Sequence, residues 1–175
     1  MIDIHSHLLP GVDDGSPSFE VSVSVLQRFA EQGVTTLVCT PHLSASYAAE
    51  APIQQHRELL AELQRRAPAG LVLKPGWEIM LDAPNIDLTA RELALGDSRA
   101  VLVEFTRGGL PRGATAELRR LARSGLTPVL AHPERYFGCT LDAVREWRKI
   151  GVVIQTDASM LMGRCLLYTS PSPRD

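Results

Sequence analysis

The chain opens with MIDIHSHLLPGVDDGS (residues 1–16), which carries two histidines and three aspartates beside a short apolar run. Residues 1–5 have the pattern of a β-strand, and His5 and His7 stand at its end. Because they are two positions apart, both imidazoles point to the same side of an extended strand. The following Asp13-Asp14-Gly15 is also an ordinary turn sequence, so this stretch by itself only suggests a metal site.

Strand-like and helix-like segments alternate along the rest of the chain. The strand-like runs are MIDIH (1–5), TTLVCTPH (35–42), LVLKPGWE (71–78), AVLVEF (100–105), TPVLAHPER (127–135) and VVIQTDA (152–158). The helix-like segments are SPSFEVSVSVLQRFAEQG (16–33), QQHRELLAELQRRA (54–67), LTARELAL (88–95), GATAELRRLARSG (113–125) and LDAVREWRKIG (141–151). This alternation predicts an α/β fold with parallel strands joined by crossover helices.

The first helix has recognisable boundary signals. Ser16 is a suitable N-cap, Pro17 suits the first helical position, and Gly33 is expected to end the helix.

Histidines and glutamates stand at the ends of five of the strand-like runs. They are His5, His7, His42, Glu78, Glu104 and His132. Parallel strands in a barrel bring their C-terminal ends to one face, where barrel enzymes have their active sites. A mixed set of imidazoles and carboxylates suits two or three divalent cations such as zinc, manganese or iron. The remaining histidine, His56, falls inside a helix and is expected to face solvent.

Composition narrows the class of protein. With 175 residues, 45% of them hydrophobic, the chain suits one globular domain. A formal net charge of −2 gives no basic surface for nucleic acid. No apolar run has the length of a membrane span and no secretory signal is recognisable, which predicts a cytoplasmic protein. The cysteines, Cys39, Cys139 and Cys165, are widely spaced and are expected to be reduced thiols.

Five separated motifs together resemble a known family. DIHSHLLPGVDDGS, CTPH, GWEI, VEF and AHPER occur in this order, and HLLPGVDDGS is the most specific stretch. The chain resembles the polymerase-and-histidinol-phosphatase (PHP) superfamily. Within it, the chain is similar to the CpsB/CapC-like tyrosine-protein phosphatases of bacterial capsule and exopolysaccharide operons. The resemblance implies a distorted (β/α)7 TIM-like barrel with a metal cluster at the C-terminal ends of the strands.

The resemblance also implies roles for individual residues. Metal ligands would be His5, His7, Asp13, His42, Glu78, Glu104 and His132. They would bind two or three divalent ions, manganese foremost, with iron, zinc or magnesium as alternatives. Arg135 would hold the phosphate, although a surface salt bridge with Glu134 is an alternative role. The implied substrate is phosphotyrosine on a protein, in particular an autophosphorylating bacterial tyrosine kinase. No Cys-x5-Arg phosphate loop is present, which disfavours a cysteine-dependent phosphatase.

The C-terminal part departs from the family pattern. After LMGR (161–164) the family continues to a last strand ending in Asp-x-His, two further ligands, whereas this chain reads CLLYTSPSPRD (165–175). We therefore expect an incomplete phosphatase domain over residues 1–164, lacking its last strand, and a non-native or disordered tail over 165–175. Asp157 stands where the family has no ligand.

Two other functions remain open from the sequence. One is a small-molecule phosphoesterase of the histidinol-phosphatase kind, which would need a deep pocket. The other is a catalytically inactive metal-binding or partner-binding module, suggested by the absent Asp-x-His. The oligomeric state is also open.

Overall fold

The computed structural model describes residues 1–106 and 108–157, which form strands and helices in alternation. The strands are β1 (Ile2–Ser6), β2 (Thr36–Cys39), β3 (His42–Ser44), β4 (Val72–Pro75), β5 (Glu78–Met80), β6 (Ala100–Glu104), β7 (Thr127–Ala131) and β8 (Val153–Gln155). The α-helices are α1 (Phe19–Glu31), α2 (Ile53–Arg66), α3 (Ala114–Arg123) and α4 (Leu141–Lys149). Short 3₁₀ helices lie at Ala45–Glu50, Arg91–Leu93 and Pro133–Arg135. The predicted tail, 165–175, lies outside the described residues.

The strands form two parallel sheets. One has the order β1-β2-β4 and the other the order β3-β5-β6-β7-β8, and every neighbouring pair is parallel. The predicted α/β class with parallel strands is confirmed. A closed barrel is not confirmed, because no pairing joins the two sheets within residues 1–106 and 108–157.

Two of the predicted strands are each divided in two. The run 35–42 is interrupted at Pro41, which lacks an N–H group for the sheet. The run 71–78 is interrupted at Gly76, where a Cβ would lie 2.8 Å from the side chain of Val38. At both points the chain passes from the smaller sheet to the larger one. His42 and Glu78 therefore begin β3 and β5, where they are paired in register.

The first helix begins two residues later than the sequence suggested. Ser18, not Ser16, is the N-cap, and α1 starts at Phe19. Ser16 is buried in the preceding loop, where its N–H donates to the carbonyl of His7 at 2.9 Å. The Ser16 hydroxyl donates to the carbonyl of Ser18 at 3.0 Å and accepts from the hydroxyl of Ser22 at 2.7 Å, so it does not cap the helix.

The predicted helix over residues 88–95 is wrong, since only Arg91–Leu93 is helical there, as a 3₁₀ turn. The segment instead places Leu88 and Leu95 in two different apolar clusters. In place of helical hydrogen bonds, the N–H of Leu95 donates to the carbonyl of Ala100 at 2.8 Å, and the N–H of Gly96 donates to the distant carbonyl of Pro75 at 2.7 Å. Tertiary packing has outweighed the local helical preference here.

The core lies on both faces of each sheet. Helices α1 and α2 cover the outer face of the smaller sheet, and α3 and α4 cover that of the larger one. Between the sheets, Val38 of β2 packs in one cluster with Leu102 of β6 and Val129 of β7. The inner faces of the two sheets therefore meet. None of the helices in the described part of the chain has the length and apolar content that crossing a bilayer needs.

Candidate metal centre

The structure brings all seven predicted metal-binding residues to one cavity or its edge. Six come from strands or from their immediate ends, and one comes from the loop after β1. They are His5, His7, Asp13, His42, Glu78, Glu104 and His132. The cavity, of about 920 Å³, is open to solvent and is also lined by Arg135, Gln155 and Asp157.

Glu78 is the centre of the cluster and is only 1% exposed. Its Oε1 lies 3.2 Å from Nε2 of His5 and 2.8 Å from Nε2 of His132. Its Oε2 lies 3.0 Å from Nε2 of His7 and 3.1 Å from Nδ1 of His42. Burial raises the pKa of Glu78, but hydrogen bonds with the surrounding imidazoles outweigh burial and hold this pKa far below its usual range. A carboxylate with four imidazole neighbours is thus ionised.

Glu104 provides a second carboxylate to the cluster. Its Oε1 lies 3.4 Å from Nδ1 of His42, and its Oε2 lies 3.7 Å from Nε2 of His132. The hydrogen bond with Glu104 is the main cause that raises the pKa of His42. Both glutamates therefore lie close to the same two imidazoles, those of His42 and His132.

Asp13 contacts its neighbours through both carboxylate oxygens. Its Oδ2 accepts from Nδ1 of His7 at 2.7 Å and from the backbone N–H of His42 at 3.2 Å. Its Oδ1 accepts from the N–H of Gly15 at 3.0 Å. Gly15 cannot be replaced freely, since a Cβ there would lie 2.2 Å from the carbonyl oxygen of His7. This turn orients the His7 ring so that its Nε2 faces Glu78.

His7 has a strongly perturbed pKa. Burial lowers it, but hydrogen bonds with Glu78 and Asp13 outweigh burial and raise the pKa of His7 to about 9. In the metal-free protein this ring is protonated at neutral pH. A metal ion that binds Nε2 must therefore displace a proton.

Asp14 is a candidate ligand that the sequence analysis did not select. Its Oδ1 lies 3.4 Å from Nε2 of His42, and its side chain is 70% exposed at the cavity. Sequence alone could not decide between Asp13 and Asp14, because adjacent residues in a turn point in different directions. The exposed Asp14 carboxylate faces the cavity, whereas Asp13 is engaged in orienting His7.

The potential ligands fall into three overlapping groups. They are His7, Asp13, Asp14 and His42; then His5, Glu78 and His132; and then His42, Glu78 and Glu104. Within each group one ligand atom per residue lies within 4.8 Å of the others. Imidazole nitrogens and carboxylate oxygens in such clusters are the donors that manganese, iron and zinc accept. The donor set fits a centre of more than one divalent ion.

Arg135 lies at the edge of the cavity and is half-exposed. Its Nη2 lies 3.1 Å from Oδ2 of Asp157. The alternative salt bridge with Glu134 is not its pairing in this structure, because Glu134 instead accepts from the backbone N–H of Asp157 at 2.9 Å. Asp157 thus holds Arg135 beside the metal-binding groups without belonging to any of them.

His56 is not the solvent-facing residue that its helical position suggested. Its ring stacks on Trp77 with centroids 4.3 Å apart, and burial lowers its pKa. Cys39 and Cys139 are free thiols, as predicted, and Cys165 lies outside the described residues. Burial raises the pKa of the Cys39 thiol to about 12, so this residue is a poor nucleophile at neutral pH.

Comparison with known proteins identifies the family. The model of the family described as "Capsular polysaccharide synthesis, CpsB/CapC" matches residues 1–169. The chain belongs to the CpsB/CapC family. This confirms the resemblance that the separated motifs indicated.

Two members of the CpsB/CapC family illustrate the similarity. The chain is 35% identical over 140 residues to the tyrosine-protein phosphatase YwqE of Bacillus subtilis, covering 77% of this chain and 55% of YwqE. It is 36% identical over 140 residues to the tyrosine-protein phosphatase CpsB of Streptococcus pneumoniae, covering 78% of this chain and 58% of CpsB. The chain thus spans little more than half the length of these relatives.

A solved structure of this family has the same fold. It comes from the crystal structures of YwqE from Bacillus subtilis and CpsB from Streptococcus pneumoniae, described as "unique metal-dependent tyrosine phosphatases". The TM-score is 0.70 at 30% sequence identity, covering 93% of this chain and 68% of the other.

Proposed function

We propose that this protein is a metal-dependent phosphatase that hydrolyses phosphotyrosine on proteins. The observation that carries the proposal is the buried Glu78 carboxylate, which four imidazoles surround at 2.8 to 3.2 Å in a solvent-open cavity. Membership of the CpsB/CapC family, in which YwqE and CpsB are named tyrosine-protein phosphatases, supports the same conclusion.

The seven predicted ligands, with Asp14 added, would bind two or three divalent ions, manganese foremost. His5, Glu78 and His132 would hold one ion, and His42, Glu78 and Glu104 would hold another. Asp13 would in addition orient His7, since its Oδ2 accepts from Nδ1 of that ring. When bound, such ions lower the pKa of coordinated water and neutralise charge on phosphoryl oxygens.

Arg135 would bind the phosphoryl group of the substrate. Its guanidinium has several N–H donors in a planar arrangement that matches phosphate oxygens. To do so it exchanges its contact with Asp157 for the phosphate, and because Arg135 is half-exposed this exchange costs little. A tyrosinate leaving group, with a pKa of about 10, makes less demand on a general acid than an alkyl alkoxide would.

We also propose a protein partner and a barrel architecture. The partner would be an autophosphorylating bacterial tyrosine kinase of capsule or exopolysaccharide synthesis, in a cytoplasmic setting. An open cavity suits a phosphotyrosine side chain on a protein.

The two sheets would be parts of a distorted (β/α)7 barrel of the PHP type. The packing of Val38 against Leu102 and Val129 between the sheets supports this architecture. We also propose that the phosphatase domain comprises residues 1–164 and that residues 165–175 are a tail outside it.

Hydrolysis of p-nitrophenyl phosphate and of a phosphotyrosine peptide tests the function, measured on residues 1–164 continued by a C-terminal segment of the family pattern. We expect turnover with added Mn²⁺, no turnover after exhaustive chelation, and recovery when Mn²⁺ is restored. The Glu104→Gln variant should be inactive, whereas Glu50→Gln, at an exposed site on the first 3₁₀ helix, should retain activity. Full activity in metal-free buffer would contradict the proposal.

A further inference from the structure

Gln155 lies beside the metal centre on the last described strand, β8, and its side-chain oxygen contacts His5. The Oε1 atom of Gln155 lies 3.1 Å from Nδ1 of His5. The same oxygen lies 3.4 Å from the backbone nitrogen of His132, which also donates to the Gln155 carbonyl at 2.7 Å. One glutamine thus contacts two of the candidate metal ligands.

The contacts of Gln155 decide which end of its amide faces His5. The backbone N–H of His132 can only donate a hydrogen bond, so the atom that faces it must be the amide oxygen. This oxygen can only accept, and it therefore requires a proton on Nδ1 of His5. In the metal-bound state His5 then keeps its proton on Nδ1 and offers the Nε2 lone pair to the ion, which takes the place of the Nε2 proton that otherwise faces Glu78.

Nε2 of His5 points to the place where other ligand atoms converge. It lies 3.2 Å from Oε1 of Glu78, and this oxygen lies 2.8 Å from Nε2 of His132. A single ion can reach these three atoms only if the imidazole of His5 keeps this orientation. Gln155 holds the ring through Nδ1, the nitrogen that does not face Glu78.

The contact also joins the two sheets. His5 belongs to β1, at one edge of the three-stranded sheet, and Gln155 belongs to β8, at one edge of the five-stranded sheet. On the same side, His132 has a left-handed backbone with φ of 34°, which is strained for a residue other than glycine. The two bonds from its N–H to Gln155 help to hold that conformation.

We propose that Gln155 is a positioning residue of the metal centre, which fixes His5 as the Nδ1–H tautomer and holds it against His132. The inference rests on the proposed metal centre, but it does not require that the substrate is phosphotyrosine. A hydrogen-bond acceptor behind a metal-binding imidazole orients the ring and raises its basicity.

Zinc titration of Gln155 variants tests the inference without an activity assay. Gln155→Leu removes the acceptor at similar size, and it should lower the affinity for Zn²⁺ by roughly 10–100-fold. Gln155→Glu keeps an acceptor in the same place and should bind Zn²⁺ at least as tightly as the parent protein. Gln54→Leu makes the same chemical change on the exposed face of α2 and should have no effect.

The proton on His5 provides a second measurement. In the Zn²⁺-loaded protein, ¹H–¹⁵N NMR should show an Nδ1–H of His5 that exchanges slowly with water. The signal should remain in Gln155→Glu and exchange rapidly in Gln155→Leu, while thermal melting reports whether each variant is folded. If Gln155→Leu does not fold, Gln155→Asn, which keeps the amide but shortens its reach, should show the same loss of affinity.

Unchanged zinc affinity and an unchanged His5 signal in folded Gln155→Leu would overturn the inference. Equal loss of affinity in Gln155→Glu and Gln155→Leu would also overturn it, since accepting a hydrogen bond would then not be the property that matters. A protein that binds zinc as described but hydrolyses no phosphotyrosine would refute the proposed function and leave the role of Gln155 intact.

Discussion

Replacing Glu78 by glutamine removes the charge at the centre of the cluster while keeping the size of the side chain. The carboxylate is 1% exposed, and its two oxygens lie within 3.2 Å of nitrogens on His5, His7, His42 and His132. The amide keeps one oxygen that could bind an ion, but it carries no charge. We expect Glu78→Gln to lose most of its affinity for divalent metal.

The magnitude follows from the charge that is removed. A unit negative charge and a unit positive charge about 4 Å apart interact by about 4 kcal/mol at an effective dielectric constant of about 20. Since about 1.4 kcal/mol corresponds to a factor of ten in affinity, the loss should be on the order of 1,000-fold for an ion that contacts this carboxylate. The divalent charge makes this a conservative figure.

The measurement is a competition titration of Mn²⁺ or Zn²⁺ against a chelator of known affinity. Glu50→Gln is the matched control, because it removes the same charge from an exposed position outside the cavity. Thermal melting of both variants in metal-free buffer separates loss of ligand from loss of fold. The control should bind metal as the parent does.

A folded Glu78→Gln variant that binds metal with the affinity of the parent would refute this reasoning. The ions would then lie away from the four imidazoles, and the ionised state of Glu78 would have only a structural role. A loss of about tenfold would mean that the amide oxygen remains a ligand and that water screens the lost charge.

Four further predictions concern Arg135, His7 and Cys139. Arg135→Ala should lower turnover of p-nitrophenyl phosphate by at least about 100-fold, because removing one hydrogen-bond donor to the charge that develops in the transition state typically costs this much. Metal content, measured by atomic emission, should stay at the parent level. Loss of metal in this variant would contradict the role of Arg135 in binding phosphate. The raised pKa of His7, about 9, predicts that affinity for Mn²⁺ rises by up to about tenfold per pH unit from pH 7 to 9 in titrations. For the same reason, His7 stabilises the metal-free fold fully below its unfolded pKa of about 6.5, and this contribution is lost as pH rises through about 9, so the metal-free melting temperature should fall over that interval. Cys139→Ser should leave kcat unchanged, because the proposed chemistry uses no thiol, and an inactive folded variant would require a different mechanism.

Several features of this protein are determined by the sequence alone. The alternation of apolar runs with amphipathic segments is local, so it predicts parallel strands joined by helices without knowledge of contacts. The histidines and glutamates at the run ends were predicted to converge because parallel strands end on one face. The structure brings all of them together at Glu78. Family membership also follows from the sequence, since it depends on short motifs in a fixed order.

Only the tertiary structure decides how these elements are divided and oriented. The interruption at Gly76 depends on Val38, which lies on a strand far away in the chain. The helical pattern of residues 88–95 gives way because its leucines pack into two separate apolar clusters.

The roles of individual residues at the metal centre also depend on the tertiary structure. Adjacent Asp13 and Asp14 look alike in sequence, yet one is held by His7 and the other faces the cavity. Gln155 carries no sequence signal, because its partner His5 is 150 residues away. The physical reason is that hydrogen bonds and packing act over a few ångströms in space, whereas sequence patterns report only on neighbours along the chain.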